Sequence, residues 1–160
     1  MPDWIDTHAH LDVWPLPENI QLARQYRAAG VAQVLLPAVA PNHFDTARAV
    51  AKQLGCAYAL GIHPMYVAAA GESALAQLAA ALQAHAADPH LVAVGEAGLD
   101  FFLPELRTEP LRQQQTACYH AQIRLAQAHG LPLVLHVRHS VDAVLKELRS
   151  ARFSHGGIAH

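Results

Sequence analysis

Charge is scarce in this sequence and nearly cancels: 15% of the 160 residues are Asp, Glu, Lys or Arg, and the net charge is -2 with histidine neutral. No polybasic surface is offered to nucleic acid or membrane, although a local basic or metal-bearing cleft can hold phosphate on an acidic protein. Cysteine is limited to Cys56 and Cys118, too few for a disulfide framework and outside any Cys-x-x-Cys pair. That usage fits a reducing compartment, and the expected location is the cytoplasm. No run of about 18 uncharged apolar residues occurs, so no membrane-spanning helix is expected. Met1–Asp6 lacks the basic and apolar regions of a signal peptide. A Gly-x-Ser-x-Gly elbow and a Gly-rich phosphate loop are both missing, which removes two common routes to nucleophilic and phosphoryl chemistry. With 52% hydrophobic residues the chain is not disordered.

Histidine is the excess. Its 12 copies outnumber the 11 lysines and arginines together, which directs attention to metal ligands.

Short apolar runs alternate with helical patterns. Strands are expected at Asp3–Thr7, Val31–Pro37, Cys56–Gly61, Leu91–Gly95, Leu133–Val137 and Gly156–His160. Helices are expected at Pro17–Ala29, with Leu22, Tyr26 and Ala29 on one face, and at Asn42–Leu54, Ser73–Ala87, Thr108 to about His129, and Ser140–Arg149. Gly30, Gly55 and Gly130 stop three of them. Gly71 or Ser73, Thr108 and Ser140 are the expected caps, and Leu111, Cys118, Ala121, Leu125 and Ala128 the apolar stripe of the longest helix. Apolar runs without alternation are typical of parallel strands covered by helices, so the expected class is α/β with a parallel sheet. No linker or domain boundary is visible, so residues 1–160 read as one domain.

Polar residues recur where the apolar runs end: His8 and His10, His63, Glu96, His136, His160. Ligands of parallel βα folds bind at the carboxyl ends of strands, so these residues can meet at one mouth. His8 and His10 share a face of an extended segment and can both reach one ion at roughly 2.0 to 2.2 Å. Taken alone, the pair is more commonly two ordinary hydrogen-bonded histidines. Asp6 could orient an imidazole or be solvated. Glu96 follows a buried run, where a carboxylate costs several kcal/mol unless paired or metal-bound; it could bridge two ions, pair with Arg138 or cap a helix. His136 alone reads as a core histidine, and Arg138, on the same face, as a phosphate clamp or an ordinary ion pair. His63 is a proton donor, a substrate contact or a turn residue. Asp100 reads as a loop cap or a partner of a ligand. His43, His85, His90, His120, His129, His139 and His155 fall on helices or turns and read as solvent-facing non-ligands. The chemistry that fits is metal-assisted hydrolysis.

Four blocks in order carry a resemblance: Ile5-Asp6-Thr7-His8-Ala9-His10-Leu11-Asp12, Gly61-Ile62-His63-Pro64, Gly95-Glu96-Ala97-Gly98-Leu99-Asp100 and His136-Val137-Arg138. Gln115, Gln122 and Leu131-Pro132-Leu133 accompany them. Together they resemble the TatD-type metal-dependent hydrolases, often described as deoxyribonucleases, of the amidohydrolase-like TIM-barrel superfamily. The resemblance implies a (β/α)8 barrel, here truncated after about five and a half βα units. It implies two divalent ions, Zn2+, Mn2+ or Mg2+. His8, His10 and Glu96 would hold the first; Glu96 would bridge to a second held by His136 and His160. Glu96 and His63 would serve catalysis, with His63 lining the pocket and Arg138 contacting a substrate phosphate.

The family's chains run to about 250 residues and carry a later aspartate, in a Glu-Thr-Asp motif, that this sequence does not reach. An unclosed barrel leaves strand edges open, so self-association is expected. The leading activity is hydrolysis of phosphodiesters in DNA or a small substrate. A zinc-dependent amidase or deacylase using the same pocket, and a non-catalytic metal-binding remnant, are the alternatives.

Overall fold

Each expected apolar run becomes a parallel strand of one sheet. The computed structural model describes residues 4–160, so the expected strand start at Asp3 lies outside the described residues. The strands are β1 (Trp4–Asp6), β2 (Val31–Pro37), β3 (Ala57–Leu60), β4 (Leu91–Asp100), β5 (Leu133–Arg138) and β6 (Gly157–Ala159), and their order in the sheet is their order in the chain. All five pairings are parallel. The connections carry α1 (Glu18–Ala28), α2 (Phe44–Leu54), α3 (Val67–Ala70), α4 (Ala74–Ala84), α5 (Leu111–His129) and α6 (Val141–Ser150).

Period-two alternation sorts the strand side chains. Leu36, Tyr58, Leu60, Val94, Leu133 and Leu135 join the large core shared with the helices. Leu35, Ala59, Ala93 and Val134 form a separate small cluster, one residue per strand. Five interstrand steps of about 4.8 Å would put the outer strands of a flat sheet roughly 24 Å apart. The rings of His8, just after β1, and His160, just after β6, instead stack at 3.7 Å between centroids. The sheet is therefore curled into a half-barrel, and the carboxyl ends of its strands converge on one mouth.

Two strand details position the site. Register along β4 slips between Val94 and Ala97, whose β5 partners are Leu133 and Leu135, so β4 carries one extra residue there. Such a bulge re-aims a side chain, and Glu96 lies in it. Gly98 has φ 149°, and a Cβ there would run into the carbonyl oxygen of His136. Only glycine lets β4 approach β5 this closely where both carry functional residues.

Several expectations need correction. β4 does not stop at Gly95 but runs to Asp100, so Glu96 lies within a strand. Ala29 is exposed, and α1 buries Asn19 and Ala23. The buried face of α5 is Gln115, Cys118, Tyr119, Gln122, Ile123 and Ala126, while Ala128 is exposed. A stripe chosen for apolarity misses two buried amides. Of the proposed caps, Thr108 Oγ1 donates back to the Pro104 and Glu105 carbonyls. Ser140 Oγ donates to Leu99 O at 2.6 Å, tying the start of α6 to β4. Ser73 Oγ accepts from Gln77 Nε2. The one-turn helix α3 had no signal in the pattern.

Candidate metal centre

Glu96 is buried at the mouth, and its two oxygens face different partners. Oε2 lies 3.2 Å from His8 Nε2, which lies 3.2 Å from His10 Nε2. Oε1 lies 2.9 Å from His136 Nδ1, 3.1 Å from His160 Nε2 and 3.4 Å from His63 Nε2. Ligand atoms around a tetrahedral ion at about 2.1 Å are roughly 3.4 Å apart, so these separations suit cations seated among them. Among the described residues two ligand groups result, His8–His10–Glu96 and His63–Glu96–His136, with the ligand atoms of each within 4.8 Å of one another. Every residue expected at the mouth from strand ends is thus brought there, His160 included.

Hydrogen bonds assign the ring tautomers. His63 Nδ1 accepts the Met65 N–H at 3.1 Å, so its neutral ring carries the proton on Nε2, facing Glu96 and His136. That suits His63 to donating a proton more than to ligating. His136 Nε2 lies 3.1 Å from Asp100 Oδ2. Donation to that carboxylate leaves the Nδ1 lone pair free for a cation, the usual way an outer carboxylate orients a ligating imidazole. Asp100 is also a turn cap: its Oδ1 accepts from the N–H groups of Phe102 (2.9 Å) and Leu103 (3.4 Å). Both readings of Asp100 hold at once, one per oxygen.

The electrostatics follow. Burial pushes the Glu96 carboxyl up, but hydrogen bonds from His136, His63 and His8 outweigh it and hold the group far below the usual carboxylate range. Burial lowers the His136 imidazole, and its hydrogen bonds to Glu96 and Asp100 reverse that, leaving it above its ordinary value. His10 is lowered by burial and then by the neighbouring His8 charge. A multivalent cation would supply the positive charge that the packed imidazoles otherwise share with Glu96. His8 Nδ1 is buried with no protein partner.

Arg138 does not pair with Glu96. Its guanidinium lies 3.8 Å over the Phe102 ring, with Nη1 3.8 Å from Asp100 Oδ2, and the side chain is half-exposed at the mouth. Asp6 accepts the backbone N–H of His8 at 3.0 Å rather than orienting a ring. Among the seven histidines expected to face solvent, His139 and His155 do. His90 and His120 are half-buried and bonded: His90 Nδ1 lies 2.7 Å from Cys56 O, and His120 Nδ1 3.0 Å from Glu147. Four contributors had been given no role at the site. Phe102 supports Arg138. Asp12 brings Oδ1 to 3.9 Å from His10 Nδ1; its i+2 spacing from His10 was the available signal. The amides of Gln115 and Gln122 grip the backbone of Asp100 and Ile62; both glutamines accompany the motif blocks, but hydrophobic periodicity gave them no role.

Fold and site define a class: parallel α/β barrels whose functional side chains gather at the carboxyl ends of the strands. The chain belongs to the TatD related DNase family, whose profile matches residues 5–160. It is 33% identical over 159 residues to YjjV of Escherichia coli K12, described as an uncharacterized metal-dependent hydrolase, covering 98% of this chain and 59% of that protein. It is 33% identical over 133 residues to the 3'-5' ssDNA/RNA exonuclease TatD of Klebsiella pneumoniae, covering 82% of this chain and 48% of that one. The crystal structure of YjjV superimposes with a TM-score of 0.86 at 31% identity, over 98% of this chain and 59% of the other. A TatD family hydrolase from Entamoeba histolytica shares the fold, with a TM-score of 0.81 at 19% identity over 99% of this chain and 57% of that one. The matches thus span about half to three-fifths of the length of these relatives.

Proposed function

We propose that the mouth of this half-barrel is a hydrolytic centre for phosphodiester bonds of DNA that works with two divalent cations. The observation that carries this is the divided carboxylate: Glu96 Oε2 faces His8, and Oε1 faces His136 and His160, at 2.9 to 3.2 Å. His8, His10 and Glu96 would hold one ion, and Glu96, His136 and His160 the other. A donor set of imidazoles and carboxylate suits Zn2+ or Mn2+, and Mg2+, which favours oxygen ligands, would serve through the carboxylate and a substrate phosphate. Bound there, a pair of such ions supplies Lewis acidity toward a phosphoryl group and acidifies water.

The chain's own residues divide the remaining work. Arg138, its guanidinium plane held over Phe102, offers paired donors to a substrate phosphate. His63, with its proton on Nε2, is poised to protonate a leaving oxygen. Asp100 keeps the His136 ring turned so that Nδ1 faces Glu96. The relative named as a 3'-5' exonuclease supports a nucleic-acid ester as substrate. We take residues 1–160 as one domain matching the N-terminal part of the barrel. The two cysteines, both buried and unpaired, fit a reducing compartment, and the cytoplasm is the proposed location. Among the described residues, no single helix is long and apolar enough to cross a membrane.

The test is Mg2+- or Mn2+-dependent release of nucleotides from an oligonucleotide. Glu96→Ala should lower turnover by more than about 100-fold, since loss of an outer partner alone costs up to that much. Absence of phosphodiester turnover at saturating metal, or faster cleavage of an amide than of a phosphodiester, would overturn the assignment.

A further inference from the structure

We propose that Gln122 and Gln115 are positioning residues of the centre: α5 sets the reach of His63 and His136 through two side-chain amides. This rests on the assignment of the mouth as a metal-dependent hydrolytic site and adds to it the element that tunes its geometry.

Both glutamines are almost completely buried. Gln122 Oε1 accepts from Ile62 N–H at 2.8 Å, and Nε2 donates to Ile62 O at 2.9 Å and to Cys118 Sγ at 3.5 Å. Gln115 Oε1 accepts from Asp100 N–H at 2.9 Å, and Nε2 donates to Asp100 O at 3.2 Å and Leu106 O at 2.5 Å. Each amide therefore clasps both backbone groups of one residue, as a neighbouring strand would, and spends both of its N–H donors. A buried amide satisfied this fully has one orientation.

The clasped residues lie next to the chemistry. Ile62 immediately precedes His63, whose main-chain N–H is pinned to Val39 O at 2.9 Å and whose ring is pinned by the Met65 N–H. Asp100 holds His136 through Oδ2. Seven residues on a helix are two turns, about 10.5 Å along the axis and on one face. Gln122 and Gln115 are thus two pegs on a rigid rod, one for each histidine. If they served only to satisfy backbone groups at strand ends, the rings beyond would not depend on them.

That difference is measurable in the 160-residue chain with 15N-labelled histidine. In the metal-free protein, Gln122→Met should move the ring resonances of His63, Gln115→Met those of His136, and neither those of His155. With Zn2+ added, calorimetry should show affinity reduced about ten- to 100-fold, the range for residues that orient ligands. Ile123→Val, which loosens the same buried face, should leave ring resonances and affinity unchanged. Gln122→Asn keeps the amide but shortens its reach by one methylene, and it should shift His63 in the same way should the methionine variant not fold. Faster exchange of the Ile62 and Asp100 amides with unmoved ring resonances would overturn the proposal, as would equal shifts at all histidines. A wild-type chain that binds no Zn2+ sinks the two-ion assignment, and the ring resonances still decide this one.

Discussion

Arg138 shows how a single residue's surroundings select its chemistry. Stacking on Phe102 holds the guanidinium plane, and a 3.8 Å gap to Asp100 leaves most of its donors unspent. A charge-assisted hydrogen bond to phosphate is worth about 1.5 to 3 kcal/mol. Arg138→Ala should therefore raise KM for a phosphodiester roughly ten- to 100-fold with a smaller effect on kcat. Arg138→Lys should restore little of it, because an ammonium neither stacks as a plane nor donates in pairs. Steady-state kinetics over a range of substrate concentration decides this. Asp88 is the counterpart at the opposite end of the strands. Its Oδ2 receives Arg48 Nε (3.1 Å), Lys52 Nζ (3.3 Å) and Tyr58 Oη (3.2 Å), and Oδ1 receives the His90 N–H (3.1 Å). Burial raises this carboxyl, but the His90, Lys52 and Arg48 hydrogen bonds outweigh it and bring the pKa from 3.8 down to about 2. A pKa lowered on folding adds stability that is complete above the unfolded value and is lost as pH falls toward the folded one. Asp88→Asn should cost about 1 to 2 kcal/mol at pH 7. The gap between mutant and wild-type urea midpoints should close between about pH 4 and pH 2.

At the scale of elements, β4 decides most. It carries the bulge that aims Glu96 and the glycine that admits β5, and it ends at Asp100. Gly98→Ala meets the His136 carbonyl in a backbone region closed to L side chains. The expected cost is about 3 kcal/mol or more, large enough to prevent folding or to part β4 from β5. Circular dichroism melts of this variant should show a Tm loss far beyond that of Ala97→Gly, its neighbour in the same strand. A Gly98→Ala protein melting within a few degrees of wild type would mean that the close β4–β5 approach is not required.

At the scale of the whole chain, the described residues form one curled sheet with β1 and β6 as its outer strands. Among the described residues, β1 and β6 each pair on one side only. Trp4 and Ile5 are 67% and 64% exposed, and Ile158 is 41% exposed. Ile5, Leu35, Val92 and Ile158 line a cavity of about 430 Å³ together with Thr7, Gln33, Cys56, Ala57, Pro89 and His90. Unpaired strand edges beside apolar side chains template association. The 160-residue chain on its own should therefore sediment as an oligomer, or bind a hydrophobic dye and melt over a broad range. A monomer with a sharp, cooperative transition in analytical ultracentrifugation and calorimetry would contradict this.

The alternation of apolar runs with helical patterns was legible because hydrophobic period is a local property. It placed β2 at its observed bounds and set His8, His10, His63, Glu96, His136 and His160 at strand ends, where parallel folds put their chemistry. What it could not carry were relations between segments far apart in the chain. That Glu96 turns its two oxygens to separate imidazole groups depends on one extra residue in β4 measured against β5. That Gln115 and Gln122 face inward depends on backbone groups of Asp100, the last residue of β4, and of Ile62, just beyond β3, being presented to α5. That His63 keeps its proton on Nε2 depends on a turn closing over its other nitrogen. Local sequence thus determined which residues reach the mouth. Only the packed sheet and helix decided which atoms they present there, because hydrogen-bond geometry belongs to pairs of segments and not to either one.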